Sequence, residues 1–360
     1  MVLYIGVDVG GTKVLAGEVT RAGTVVRTAR RSTPGRRVDI SAVEDALTEA
    51  VLDVAGGRRI AGVGLAAAGF VDAAGERVMF APHLPWAGER VRERLSKRWG
   101  APVALDNDAN CAAVAETAFG VVRGASSALM ITLGTGIGGA IVLAGQLVRG
   151  AQGMAGEFGH MQLVPDGRNC ECGMSGCWEQ YCSGNALVRF ARAHLDGPDG
   201  ALLRELCGGD LDLLTGPMVT EAAERGDPLA RQAFAVIGEW LGAGLGALTS
   251  AFDPELIVVG GGVSAAGDIL LDPARQALAR TVVGAGHRTP PQVTAAGLGP
   301  EAGLIGAALL ARSARWAGSA RTARTARSVR GIQTIGPGDY RSGVIKPRRR
   351  RPGRGARGTS

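Results

Sequence analysis

Residues 156–181 read GEFGHMQLVPDGRNCECGMSGCWEQY, and the rest of the chain is best understood outward from them. Cys170, Cys172 and Cys177 join His160 in a loop-rich segment, giving three thiols and one imidazole. Thiolate and imidazole donors in a tetrahedral arrangement are what zinc prefers. Gly173 and Gly176 let the backbone turn tightly around an ion. The plain alternative is three buried, reduced cysteines beside an unrelated histidine, because this spacing is not the commonest zinc pattern. A disulfide fits less well. A closed set of four protein ligands leaves no open position, so the metal is expected to be structural. Glu157 and Glu179 bracket the set and would be pinned by it.

The 360 residues suffice for two domains of ordinary size, and 46% hydrophobic content is normal for a chain with a full core. Aromatic residues are only 4% and glycines number 57, so Val, Ile, Leu and Ala must pack the sheets between many glycine turns. Of the 40 Lys+Arg, twelve lie in residues 317–360 with one acidic residue, leaving 28 basic and 32 acidic residues elsewhere. The body is therefore mildly acidic, and no nucleic-acid partner is expected for it. Six cysteines without a regular framework suit a reducing compartment. MVLYIGVDVGGTK has no basic leader and meets Asp8 too early for a signal peptide, and no run of about 18 apolar residues occurs. A cytoplasmic protein with no membrane partner is expected.

Towards the N-terminus, Leu3–Asp8 reads as a buried strand, Gly10-Gly11-Thr12-Lys13 as a tight turn and Val14–Val19 as the hairpin partner, with a third strand after Gly23. Backbone N–H groups exposed by such a turn can nest phosphate oxygens, although the segment taken alone reads better as a plain hairpin turn. Gly134-Thr135-Gly136-Ile137-Gly138-Gly139 follows another predicted strand. It satisfies G-x-G-x-x-G, but a strand rather than a helix resumes after it, so it is a second glycine hairpin and not a dinucleotide fingerprint. Neither a Walker motif nor a protein-kinase catalytic loop is present.

Helices are predicted over 38–56, 89–99, 109–119, 184–195, 227–252 and 300–315. Gly238, Gly242 and Gly246 would line one face of the 227–252 helix for close packing. A strand over 102–105 runs into Asp106-Asn107-Asp108-Ala109-Asn110, which puts a polar cluster at the carboxyl end of a strand, where open α/β sheets hold ligands. Asp108 alone reads as a helix N-cap, but one cap uses only one of the four polar side chains. After a strand at 255–259, Gly260-Gly261-Gly262 offers bare backbone to a flat ring, or is a simple turn.

Taken together, Asp8-Val9-Gly10-Gly11-Thr12-Lys13, Asp106 to Asn110, Gly134 to Gly139, Gly156-Glu157-Phe158-Gly159-His160 and the Cys170 to Glu179 stretch resemble the repressor, open reading frame and kinase (ROK) family over roughly residues 3–315. The resemblance is to its glucokinases, within the actin-like ATPase superfamily. It implies an α/β, two-lobed actin-like ATPase (ribonuclease H-like) fold with a cleft between lobes. Residues 1–119 would form the N-terminal lobe, with the helix near 300–315 packing back on it, and 120–299 the C-terminal lobe with the zinc-binding loop. The implied activity is ATP-dependent phosphorylation of the 6-hydroxyl of glucose. By the same resemblance Asp108 is the general base, and Asn107, Glu157, His160 and Glu179 hold the other sugar hydroxyls. Asp8 would hold Mg²⁺ through water, Gly10, Gly11, Thr12, Thr135 and Gly136 would contact phosphates, and Gly261 and Gly262 would border adenosine. Structural Zn²⁺ and assembly as a homodimer or homotetramer are implied as well, and Lys13 is given no role.

Two readings stand beside this one: a kinase for another hexose such as N-acetylmannosamine or fructose, and a sugar-responsive regulator without turnover. Repressors of the family carry a helix-turn-helix ahead of the kinase fold, for which a first strand at Leu3 leaves no room. Residues 317–360, basic and rich in Gly, Pro and Ser, are expected to be a disordered tail.

Overall fold

Leu3–Val9 buries Leu3, Ile5, Val7 and Val9 on one face and turns Tyr4, Gly6 and Asp8 to the other, the period of two that a strand imposes. Each face meets a different layer. The computed structural model describes residues 2–197 and 199–324. The chain divides into Met1–Gly318 and Ser319–Ser360, and of the second unit only the end of one helix lies among the described residues.

The first sheet is built from β1 (Leu3–Val9), β2 (Lys13–Val19), β3 (Val25–Ser32), β4 (Ile60–Ala67) and, after the small pair β5 (Phe70–Val71) and β6 (Val78–Phe80), β7 (Val103–Asn107). Its order is β3-β2-β1-β4-β7, with β1 to β3 an antiparallel meander and β1, β4 and β7 parallel. A second sheet repeats the plan with β8 (Ser127–Leu133), β9 (Ile137–Leu143), β10 (Gln146–Val148), β11 (Leu256–Gly260) and β12 (Gln292–Ala295), in the order β10-β9-β8-β11-β12.

Helices α1 (Ile40–Ala55) and α2 (Val91–Trp99) cover the outer face of the first sheet, where Val43, Leu47, Val51 and Leu95 join Ile5, Val7, Val63 and Leu65 in one core. The next helix, α3 (Asp108–Phe119), leaves β7 and lies against β9 of the second sheet. The outer face of the second sheet is covered by α4 (Gly184–His194), α5 (Ala201–Leu206), α6 (Gly216–Glu224), α7 (Pro228–Phe252) and α8 (Asp268–Thr281). By length and composition α7 could cross a membrane, yet 61% of its most apolar window is buried, and Phe234, Ile237, Leu241 and Leu245 form the centre of this core. Asp227 caps it through Ala230 N (2.9 Å), and Gly238, Gly242 and Gly246 do pack closely, against Pro273, Ala277 and Thr281 of α8.

The last helix, α9 (Ala302–Arg324), lies on the inner face of β1 and β4. A methyl group in place of the hydrogen at Gly6 would stand 1.9 Å from Leu304 O, and at Gly64 1.7 Å from Ala307 O, so only glycine lets the helix settle. Arg312 stacks over Tyr4 at 5.8 Å. Leu304, Ile305 and Ala308 share a third core with Ala112 and Ala113 of α3 and Met130, Ala140 and Val258 of the second sheet. Two stretches of chain pass between the sheets, 120–126 and 296–301. Buried Glu116 ties them together, accepting from Val121 N (2.9 Å) and Leu298 N (2.8 Å).

The structure departs from expectation in several places, among them the unforeseen short helices α5 and α6. Helix α9 continues to Arg324 instead of ending at Arg315, so the segment expected to be unstructured from residue 317 begins as helix, and residues 325–360 lie outside the described residues. The helix α8 was not foreseen, because Pro273 interrupts its pattern. The strand β7 runs two residues beyond Leu105, which moves Asp106 and Asn107 onto the sheet.

Candidate active site

Strand register brings the polar residues together. Asp8 of β1 pairs with Ala66 of β4, which pairs with Asp106 of β7, so three parallel strands deliver their carboxyl ends in one row. At the end of that row Asn107, not Asp108, caps α3, its Oδ1 accepting from Ala109 N (2.9 Å) and Asn110 N (3.2 Å) while Nδ2 donates to Gly69 O (3.1 Å). Asp106 is also committed to the fold. It accepts from Asn107 N (2.9 Å), Asn110 Nδ2 (2.8 Å) and Arg149 Nε (2.8 Å). Asp108, relieved of capping, accepts from Ala109 N (2.8 Å). Burial raises its carboxyl above the usual range, against the lowering pull of the N–H groups around it. Burial likewise pushes Asp8 up to about 6, with Asp108 adding to the effect and Lys13 opposing it.

Glu157 approaches the same row from the second sheet. Burial raises it to about 7, with help from the charges of Asp108 and Glu179. It precedes a 3₁₀ turn, Phe158–His160, fixed by buried Phe158 against Phe252 at 6.0 Å. His160 meets the edge of Phe70 at 5.9 Å, an approach with no sequence signal, and holds Nδ1 3.6 Å from Cys170 Sγ.

The four expected metal ligands come together. One donor atom each from His160, Cys170, Cys172 and Cys177 lies within 4.8 Å of the others, and Cys172 and Cys177 sulfurs are 3.6 Å apart. A tetrahedron with Zn–S bonds of about 2.3 Å has edges of about 3.8 Å, so the donor set fits zinc. Among the described residues every cysteine is a free thiol. Glu179 borders this cluster, one oxygen accepting from Cys170 Sγ (3.1 Å) and the other 3.5 Å from Ile137 N, beside the second glycine hairpin.

Both hairpins are closed and braced. Gly10 N donates to Lys13 O (3.0 Å), and Thr33 holds the oxygens of Gly10 (2.8 Å) and Thr12 (3.1 Å). Gly10 N–H is thereby used, and the N–H groups of Gly11 and Thr12 have no protein partner among the described residues. In the second hairpin Gly134 N donates to Gly136 O (3.0 Å), and Gly184 N of α4 to Gly134 O (2.8 Å), while Thr135 and Gly136 N–H have no protein partner among the described residues. Gly261 (φ 86°) presses on the Leu133 backbone at the base of that hairpin. His83, unremarked in the sequence, packs on Gly11.

Two sheets of one plan, each with a glycine hairpin between its first two strands, define a two-lobed actin-like ATPase of the ribonuclease H-like type. The ROK family model matches residues 4–314, and the chain belongs to the ROK family. It is 45% identical over 314 residues to the glucokinase of Streptomyces coelicolor, spanning 87% of this chain and 98% of that one. It is 33% identical over 305 residues to the glucokinase of Thermotoga maritima, spanning 84% and 95%. A solved ROK family glucokinase from Streptomyces griseus, in complex with glucose and AMPPNP, superposes with a TM-score of 0.82 at 44% identity, covering 86% of this chain and 99% of that one.

Proposed function

We propose that this chain is an ATP-dependent glucokinase that phosphorylates the 6-hydroxyl of glucose with Asp108 as general base. The observation that carries the reading is the division of labour at the end of β7: Asn107 caps α3 and Asp106 holds the fold, so Asp108 keeps a carboxylate for chemistry. In the reaction the 6-hydroxyl oxygen forms a bond to the γ-phosphorus as the bond to the β-bridging oxygen breaks. Asp108 takes the hydroxyl proton, and ADP leaves.

Glu157, His160, Glu179 and the spare N–H of Asn107 would hold the remaining hydroxyls. Near neutral pH a Glu157 titrating at about 7 can serve as donor or acceptor. Free N–H groups at Gly11, Thr12, Thr135 and Gly136 suit phosphate oxygens, and Gly261 and Gly262 suit the adenosine. Asp8, raised by burial and by Asp108, is a natural partner for Mg²⁺ through water, and the ion when bound would neutralise phosphate charge. Zinc at the Cys₃His cluster would be structural, fixing the loop that carries Glu179. Free thiols favour a reducing, cytoplasmic setting. The hinge is assigned near Gly120, with lobes 1–119 and 120–299, and the assembly is a homodimer or homotetramer, to be read by light scattering.

A coupled assay with ATP or polyphosphate as donor and a panel of sugars tests the reading. Glucose turnover with ATP is expected. Turnover of only another hexose would move the substrate to N-acetylmannosamine or fructose, and glucose binding without turnover would make the protein a regulator.

A further inference from the structure

We infer that Arg149 is a positioning residue that sets the distance between Asp108 and Glu157 by docking its loop on Asp106. The inference rests on the kinase reading above. Asp106 and Asp108 flank Asn107 where β7 becomes α3, in the first half of the fold. Arg149 follows β10 in the second half, and opens the loop that ends at Gly156-Glu157. Its Nε and second terminal nitrogen both reach one oxygen of Asp106, at 2.8 and 2.7 Å. The other oxygen of Asp106 is taken by Asn107 N and Asn110 Nδ2, so the carboxylate has no freedom to follow a moving arginine. The pair is half sheltered, with Asp106 5% exposed and Arg149 35% exposed at the side chain.

The loop is held at further points. Ala155 N donates to Arg149 O (3.0 Å), which closes 149–155 into one turn of chain. Gly153 (φ 88°) lies so near the backbone after β5 that a methyl group there would stand 2.2 Å from Val71 O. Gly156 packs on the Gly139 backbone in the same way. The loop is therefore a short rigid strut between the sheets, with Arg149 at one end and Glu157 at the other. Glu157 lies near enough to feel the charge of Asp108, so a shift of the strut changes how the sugar lies against the base. A misplacement of about 1 Å can cost roughly 100-fold in rate.

Arg149 stands outside the buried core, so its variants should fold. The experiment compares wild type, Arg149→Lys, Arg149→Gln, Asp106→Asn and the double variant by steady-state kinetics, melting temperature and amide exchange of residues 150–157. Arg149→Gln is expected to lower kcat about 10- to 100-fold and raise the glucose KM, with Arg149→Lys recovering part of both. The double variant should be no worse than the poorer single one, since both remove the same contact. Exchange of 150–157 should quicken in Arg149→Gln while the melting temperature moves by only a few degrees. Kinetic constants within about twofold of wild type, losses that multiply in the double variant, or unchanged exchange would each overturn the assignment. Wild-type protein that phosphorylates no sugar would defeat the kinase reading instead, and the exchange measurement would still decide whether Arg149 holds the strut.

Discussion

The indole of Trp178 lies flat against Gly244 of α7, where a methyl group would stand 2.2 Å from the ring. Its Nε1 donates to Trp240 O (2.8 Å), and the side chain is fully buried. Trp178 separates Cys177 from Glu179, so this contact anchors the metal loop to the longest helix. Gly244→Ala should destabilise the protein by about 1–3 kcal/mol through overpacking, and weaken glucose binding by shifting Glu179. Thermal melts and calorimetry with glucose read both effects. A variant as stable as wild type with unchanged affinity would show that the loop does not depend on this anchor.

Replacing Asp108 should damage turnover more than binding. Asp108→Ala is expected to lower kcat by about 10² to 10⁴, the usual range for a lost general base, while glucose still binds through the carboxylates and imidazole of the second half. Calorimetry and the coupled assay on the same preparation provide the check. Near-normal kcat with weakened binding would reduce Asp108 to an orienting group.

Asp8 makes a prediction with a defined sign. Its carboxyl titrates at about 6 in the folded protein, against about 3.9 when unfolded. Between those values the folded state keeps a proton that the unfolded state has released, so stability falls as pH rises through the window and levels off above it. The cost at neutral pH is at most about 3 kcal/mol. Asp8→Asn, without nucleotide or Mg²⁺, should therefore melt above wild type at pH 8, and the gap should close toward pH 4. Lower stability of the variant at pH 8 would mean that Asp8 is already compensated by a partner such as Lys13.

Removing one ligand should open the metal site. Cys172→Ser is expected to lose most of one equivalent of zinc, to melt lower, and to bind glucose more weakly because Glu179 and His160 lose their common anchor. Elemental analysis of purified protein settles the first point. Active wild-type protein without zinc would return the cluster to reduced structural cysteines.

Features carried by local pattern were legible in the sequence. The start of α7 combines a capping Asp227 with Pro228, its packing face repeats glycine at every fourth position, and the metal set falls within eighteen residues, 160–177. Both glycine hairpins announced themselves by strand-turn-strand alternation. What escaped was non-local or chemically degenerate. Asn and Asp cap helices about equally well, so the sequence could not say that Asn107 would do so and release Asp108. Pro273 masked α8 because a proline inside a helix reads as a break, although here it packs on Gly238. The contacts of Arg149 with Asp106, His83 with Gly11 and Glu116 with Leu298 join distant segments, and no periodicity records them.

The place of α9 has a consequence for synthesis. Residues 302 onward cover the inner face of a sheet whose last strand ends at Asn107, so the first sheet leaves the ribosome roughly 200 residues, about 10–40 s, before its inner layer exists. In that interval Gly6, Gly64 and the small residues around them present bare backbone and apolar surface with nothing to cover it. The N-terminal half cannot complete folding as it emerges, and its final closure waits for the synthesis of α9. A chain released before α9 should be a client for chaperones and proteases, not a half-functional lobe.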